Sequence, residues 1–107
     1  MSTIQEGEVM VINAEKVEDK VCVAVEGRLD TVTAPELEAK LKELYDGIKS
    51  LEFDFSKLEY ISSAGLRVLL GAQKTMNKLG KMVVKNVDPT VMEVFEITGF
   101  KDILNIE

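Results

Sequence analysis

Two β-rich runs open the chain, Val9-Met10-Val11-Ile12 and Val21-Cys22-Val23-Ala24-Val25, with the charged stretch Glu15 to Lys20 between them. This pattern predicts an antiparallel hairpin turning at Glu18-Asp19-Lys20, with Gly27 closing the second strand. The period then changes. Leu37, Leu41 and Leu44, with Tyr45, recur at helical spacing while Glu36, Lys40, Lys42 and Glu43 can face water, so a helix is expected from about Ala34 to Asp46. Asp30 to Thr33 offer capping side chains, Pro35 suits the first turn, and Gly47 ends the element.

Leu51-Glu52-Phe53-Asp54-Phe55 alternates apolar and acidic residues, as a strand with one buried face does. Beyond a loop through Tyr60 and Ile61 comes the longest helix, Ser63 to Leu79. Its apolar stripe is Leu69, Ala72, Met76 and Leu79, widened by Leu66 and Leu70, and Gly80 is its stop. Met82-Val83-Val84 reads as a further strand, Pro89 opens a helix through Met92, Val94, Phe95 and Ile97, and Ile103-Leu104-Asn105-Ile106 reads as a last strand. A hairpin followed by alternating helices and strands makes a mixed sheet with helices packed against it, of α/β or α+β class, because strands joined through helices run parallel. One domain is expected over 1–107, with no repeat or linker.

Composition narrows the functions open to such a fold. The formal net charge of −6 sets the mean field against a phosphate backbone, so nucleic acid is not the expected partner. No histidine is present, which removes the commonest general base and every Ser-His-Asp or Cys-His arrangement. The single cysteine, Cys22, rules out a disulfide framework within the chain and, lying in an apolar run, is expected to be buried packing in a reducing compartment. Met1 to Glu6 lacks the features of a secretory signal, and no apolar run approaches the roughly 20 residues that cross a bilayer. The expected location is the cytoplasm, with no membrane contact.

The informative stretch runs from Asp54 to Leu66, where a strand ends and Ser62 and Ser63 stand at the mouth of a helix. A serine there can accept a hydrogen bond from the first helical turn, and that end of a helix also favours added negative charge. A phosphoryl group would add about −1.5 to −2 charge where free backbone donors accommodate it, so it would act outward on a docking surface rather than melt the helix. On position alone, plain capping is the favoured reading of both serines.

Ile61-Ser62-Ser63-Ala64-Gly65-Leu66, preceded by Asp54-Phe55-Ser56, resembles the phosphorylation-site segment of STAS domains, the bacterial anti-sigma factor antagonists. Val25-Glu26-Gly27-Arg28-Leu29-Asp30 is similar to that family's Gly-x-Leu-Asp element, and Asp88-Pro89 and Ile97-Thr98-Gly99-Phe100 extend the resemblance over nearly the whole chain. It implies a mixed sheet with helices and a non-enzymatic protein without cofactor or metal. Its unphosphorylated form would bind an anti-sigma factor that is also its serine kinase, freeing a sigma factor, and a serine phosphatase would reverse the modification. The acceptor falls on Ser63, with Ser62 second. Asp30, Ser62, Ser63, Ala64, Gly65 and Arg67 are the expected partner contacts. The family often has aspartate where this chain has Ser62, and an acidic residue where it has Arg28.

Several alternatives remain in view. Asp30 could be a capping-region residue of the first helix instead of a contact. Arg67, Lys74 and Lys78 can share one face of the long helix, either as a solvated face or as a strip for an acidic partner. Phe53, Phe55, Phe95 and the methionines are expected in the core, with Phe100 a partial exception. A nucleophilic Ser63 finds no Gly-x-Ser-x-Gly elbow and no histidine, and Asp54 as a receiver-type phosphoryl acceptor lacks paired acids after the first strand. The rival to the antagonist is a scaffold or small-ligand sensor of the same fold that works without phosphorylation.

Overall fold

The opening hairpin is longer than its apolar runs suggest. In the computed structural model, which describes residues 10–107, β1 (Met10–Val17) and β2 (Lys20–Leu29) pair antiparallel without a break from Met10↔Gly27 to Val17↔Lys20. Val9 lies outside the described residues. The turn falls where expected, with Glu18 at φ 58. Gly27 does not close β2. At φ 96 it sits where the register between β2 and β4 (Leu58–Ile61) shifts, so β2 bends through a bulge and continues to Leu29.

The remaining elements follow as α1 (Ala34–Leu44), β3 (Ser50–Asp54), α2 (Ser63–Leu79), β5 (Lys81–Lys85) and α3 (Pro89–Thr98), and then a 3-10 turn over Phe100–Asp102. The sheet order is β1-β2-β3-β5, with β4 beside the C-terminal end of β2, and every pairing except β1·β2 is parallel. Parallel neighbours need crossovers, which α1 and α2 provide. Val21, Val23, Val25, Leu51, Phe53, Met82 and Val84 form the sheet's side of the core, against Leu37 and Leu41 of α1 and Leu66, Leu69, Ala72 and Met76 of α2. The Phe53 and Phe55 rings lie 5.5 Å apart at their centroids, and Phe95 is fully buried. The expected α/β fold with a mixed sheet is the one found.

Several expectations fail locally. The loop through Tyr60 and Ile61 is the strand β4: only Leu58 and Ile61 are buried, so it shows no two-residue period to read. The expected last strand at Ile103 to Ile106 is a single bridge, Val84↔Ile106, because Gly99 at φ 82 turns the chain into the 3-10 segment first. Helix α1 stops at Leu44 rather than Asp46. Leu79 is 41% exposed, at the last position of α2, and Leu70 is half-buried. Cys22 is half-buried rather than core, since Val21 and Val23 take the inward positions of β2. Its thiol lies 3.8 Å from the Glu52 carboxylate on the other face, and burial pushes it above its ordinary pKa.

Candidate functional site

Strands β2 and β4 end side by side, with Leu29 opposite Ile61, so the segments leaving them toward α1 and α2 emerge as neighbours. The Ser62 amide donates to the Leu29 carbonyl at 2.9 Å, and the Leu66 amide donates to the Ser62 carbonyl at 2.9 Å, which opens α2. This arrangement requires Gly65. A Cβ there would lie 2.8 Å from both Ile61 Cγ1 and Leu29 Cγ, and 3.0 Å from the Leu29 carbonyl oxygen, so only glycine lets the first turn of α2 rest on the strand ends.

The two serines are placed differently. Ser63 is the first helical residue and is exposed. Ser62 is the N-cap, with extended backbone at φ −102 and ψ 177, yet its hydroxyl caps nothing: Oγ is buried without a hydrogen-bond partner among the described residues. The sequence carried no sign of this inversion, since either serine fits the capping position. Ser63 is therefore the serine that a second protein can reach, at a helix end where first-turn N–H groups lack intrahelical acceptors and the dipole favours an anion.

Asp30 holds the adjacent turn. Its carboxylate accepts from the backbone amides of Val32 at 3.0 Å and Thr33 at 3.1 Å, and Arg28 Nε lies 3.7 Å away. The Thr33 hydroxyl donates to the Arg28 carbonyl at 2.8 Å and accepts from the Asp30 amide at 2.8 Å, which explains how a threonine can be buried here. Burial works to raise the Asp30 pKa, but the bonds from Thr33 and Val32 and the nearby Arg28 outweigh it, and the carboxyl lies below its ordinary value. Of the two roles open to Asp30, the local one is thus fully occupied. Arg28 also stacks over Tyr60, 4.2 Å from the ring centre, a contact that exists only because β4 places Tyr60 opposite Arg28.

Ala64 and Arg67 of α2 face Thr31, Pro35 and Glu38 across a groove of about 270 Å³. The structure thus brings Ser62, Ser63, Ala64 and Gly65 together at one helix end, with Asp30 on the neighbouring strand end and Arg67 one turn along. A second, open cleft of about 560 Å³ lies at Gly27, Ser56, Lys57 and Asp88. No group of three or more His, Cys, Asp or Glu among the described residues could hold a metal ion, and no helix among them is long and apolar enough to cross a membrane.

This geometry has relatives. Residues 11–107 match the family model described as the STAS domain. A Bordetella bronchiseptica protein, BtrV, whose name gives anti-sigma factor antagonist as a proposed role, is 35% identical over 99 residues, covering 91% of this chain and 85% of its own. The anti-sigma-B factor antagonist of Staphylococcus aureus is 34% identical over 86 residues, covering 78% of this chain and 80% of its own. Among solved structures, an anti-sigma factor antagonist from Mycobacterium paratuberculosis superposes with a TM-score of 0.83 at 25% identity, over 92% of this chain and 85% of that one. The unphosphorylated form of SpoIIAA shares the fold at a TM-score of 0.71 and 20% identity, over 91% of this chain and 87% of that one. A hairpin-led mixed sheet, a helix seated by glycine on paired strand ends and a model match across these residues lead to one assignment: the chain belongs to the STAS domain family, among relatives named anti-sigma factor antagonists.

Proposed function

We propose that this protein is an anti-sigma factor antagonist switched at Ser63. In its unphosphorylated form the start of α2 docks on an anti-sigma factor that is also a serine kinase, and a sigma factor is released. Transfer of a phosphoryl group to the Ser63 hydroxyl ends the interaction, and a serine phosphatase restores it. The observation that carries the reading is the contrast between an exposed Ser63 and a sealed Ser62 at the same helix end.

The physical consequence is a change of surface rather than of fold. A phosphate at the first helical position gains free amides and a favourable dipole, so α2 persists while about −1.5 to −2 charge is added to the docking face. The phosphorylated form of SpoIIAA resembles this chain at a TM-score of 0.71, the same value as the unphosphorylated form, consistent with a fold that tolerates both states.

The test is binding of the purified anti-sigma factor to wild type, Ser63→Ala and Ser63→Asp. Binding kept by Ala and lost with Asp supports the switch. Equal binding by both variants would leave a scaffold or ligand sensor of the same fold as the reading.

A further inference from the structure

Helix α2 carries Arg67, Lys74 and Lys78 and no acidic residue, in a chain whose formal net charge is −6. All three side chains are exposed, and among the described residues none is in an ion pair, which is also true of Lys16, Lys42, Lys49, Lys57 and Lys81; what sets the three apart is that they share one helix with no acid on it. Positions 63, 67, 71, 74 and 78 are spaced by four, four, three and four, which keeps them on one helix face. The stripe therefore begins at Ser63 and passes over Gly71.

Gly71 has no structural reason to be glycine. It is exposed, is not among the residues with positive φ, and a Cβ there would meet no atom of the described residues within 4 Å. Glycine inside a helix costs about 0.8–1 kcal/mol relative to alanine. What the missing side chain leaves is a notch of about 110 Å³ between α1 and α2, walled by Leu41, Tyr45, Val68, Ala72 and Thr75, with Glu38 and Lys42 of α1 also on its lining.

Although Glu38 also borders the notch, the three cations along α2 and the apolar walls of Leu41, Val68 and Ala72 complement an acidic surface that offers one apolar side chain. We infer that the anti-sigma partner docks along Ser63, Arg67, Gly71, Lys74 and Lys78 with such an acidic surface, and seats an apolar side chain in the notch at Gly71. This rests on the docking role proposed for α2 and states how far the interface extends and what chemistry meets it. It also gives phosphorylation an electrostatic mechanism. A phosphate on Ser63 stands one turn from Arg67, where it neutralises the first cation of the stripe and places an anion against the partner's acids.

The experiment measures affinity for the purified anti-sigma factor in a Ser63→Ala background, with Ser63→Asp as the switch control. Lys74→Glu with Lys78→Glu lies well away from the phosphorylation site and is expected to weaken binding about tenfold or more at low salt, with the difference shrinking as salt rises. Lys74→Gln with Lys78→Gln, which keeps the helix without adding acids, is expected to show a smaller loss in the same direction. Gly71→Leu is expected to weaken binding about tenfold while raising the melting temperature, since leucine favours the helix, and that separates a blocked notch from a damaged fold. Charge-reversed protein that binds within about twofold of its parent at low salt overturns the inference. If Ser63→Asp still abolishes binding in that case, the Ser63 switch stands without the stripe.

Discussion

Gly65 packs so closely against Leu29 that a single added methyl group would stand 2.8 Å from Leu29 Cγ and 3.0 Å from the Leu29 carbonyl oxygen. The contact sets the height of the first turn of α2 above the paired ends of β2 and β4, and so the position of Ser63. Gly65→Ala must push apart a backbone carbonyl and two core side chains. It is expected to cost about 1–3 kcal/mol, read as a lower urea midpoint with an unchanged slope. An unchanged midpoint contradicts the close packing.

Ser62 yields an expectation opposite to the usual one. Removing a serine N-cap ordinarily costs about 1 kcal/mol, but the Ser62 hydroxyl makes no capping bond and is buried without a partner among the described residues. Ser62→Ala is therefore expected to be neutral or stabilising in thermal unfolding and to leave phosphorylation at Ser63 intact. A clear loss of stability would show that the hydroxyl is bonded in solution.

The Asp30 turn is a separate source of stability. Its carboxylate accepts from both the Val32 and Thr33 amides, and Asp30→Ala leaves those donors at the start of α1 without their acceptor. A cost of about 1–2 kcal/mol is expected in chemical denaturation. If Asp30 served only the partner, stability would not change.

Acid sensitivity follows from three carboxyls. Asp54 lies below its ordinary pKa chiefly through the Ser56 backbone amide. Glu52 does so despite burial, through bonds to Lys20 at 3.2 Å and Lys85 at 3.3 Å, and Asp30 does so as described above. Each folded-state value lies below the unfolded one of about 3.9 for Asp or about 4.3 for Glu. The stabilisation is therefore complete above those values and is lost as pH falls through the lower folded ones. Melting temperature is expected to be nearly flat from neutral pH to roughly pH 5 and to fall steeply below about pH 4, with Asp30→Asn flattening the fall. A profile with the same slope in Asp30→Asn contradicts the role of Asp30.

Much of this fold is legible in the chain because its punctuation agrees with its periodicity. Ser63 and Gly80 bracket α2, and Asp88 with Pro89 opens α3, where the Asp88 carboxylate accepts from the Thr90 amide at 2.9 Å. What is lost depends on tertiary placement. Leu58 and Ile61 face inward three residues apart, so β4 leaves no alternating trace, and the stack of Arg28 on Tyr60 goes unseen with it. Cys22 is misjudged by composition although the alternation of Val21 and Val23 already assigned it to the other face. At the site, the motif selects Ser63 by resemblance, but the burial of the Ser62 hydroxyl depends on how α2 meets β2 and β4. The place of Gly71 in a cationic stripe gains meaning only when Arg67, Lys74 and Lys78 are seen to share its helix face and, among the described residues, to form no ion pair.

The most direct test of the account is intact-mass analysis with fragment mapping after incubation with the anti-sigma factor kinase and ATP. The expected result is one added phosphoryl group, located on Ser63, absent from Ser63→Ala and still present in Ser62→Ala. Phosphate on Ser62, or none on wild type under conditions where the kinase is active, would contradict a switch built on the exposed serine of α2.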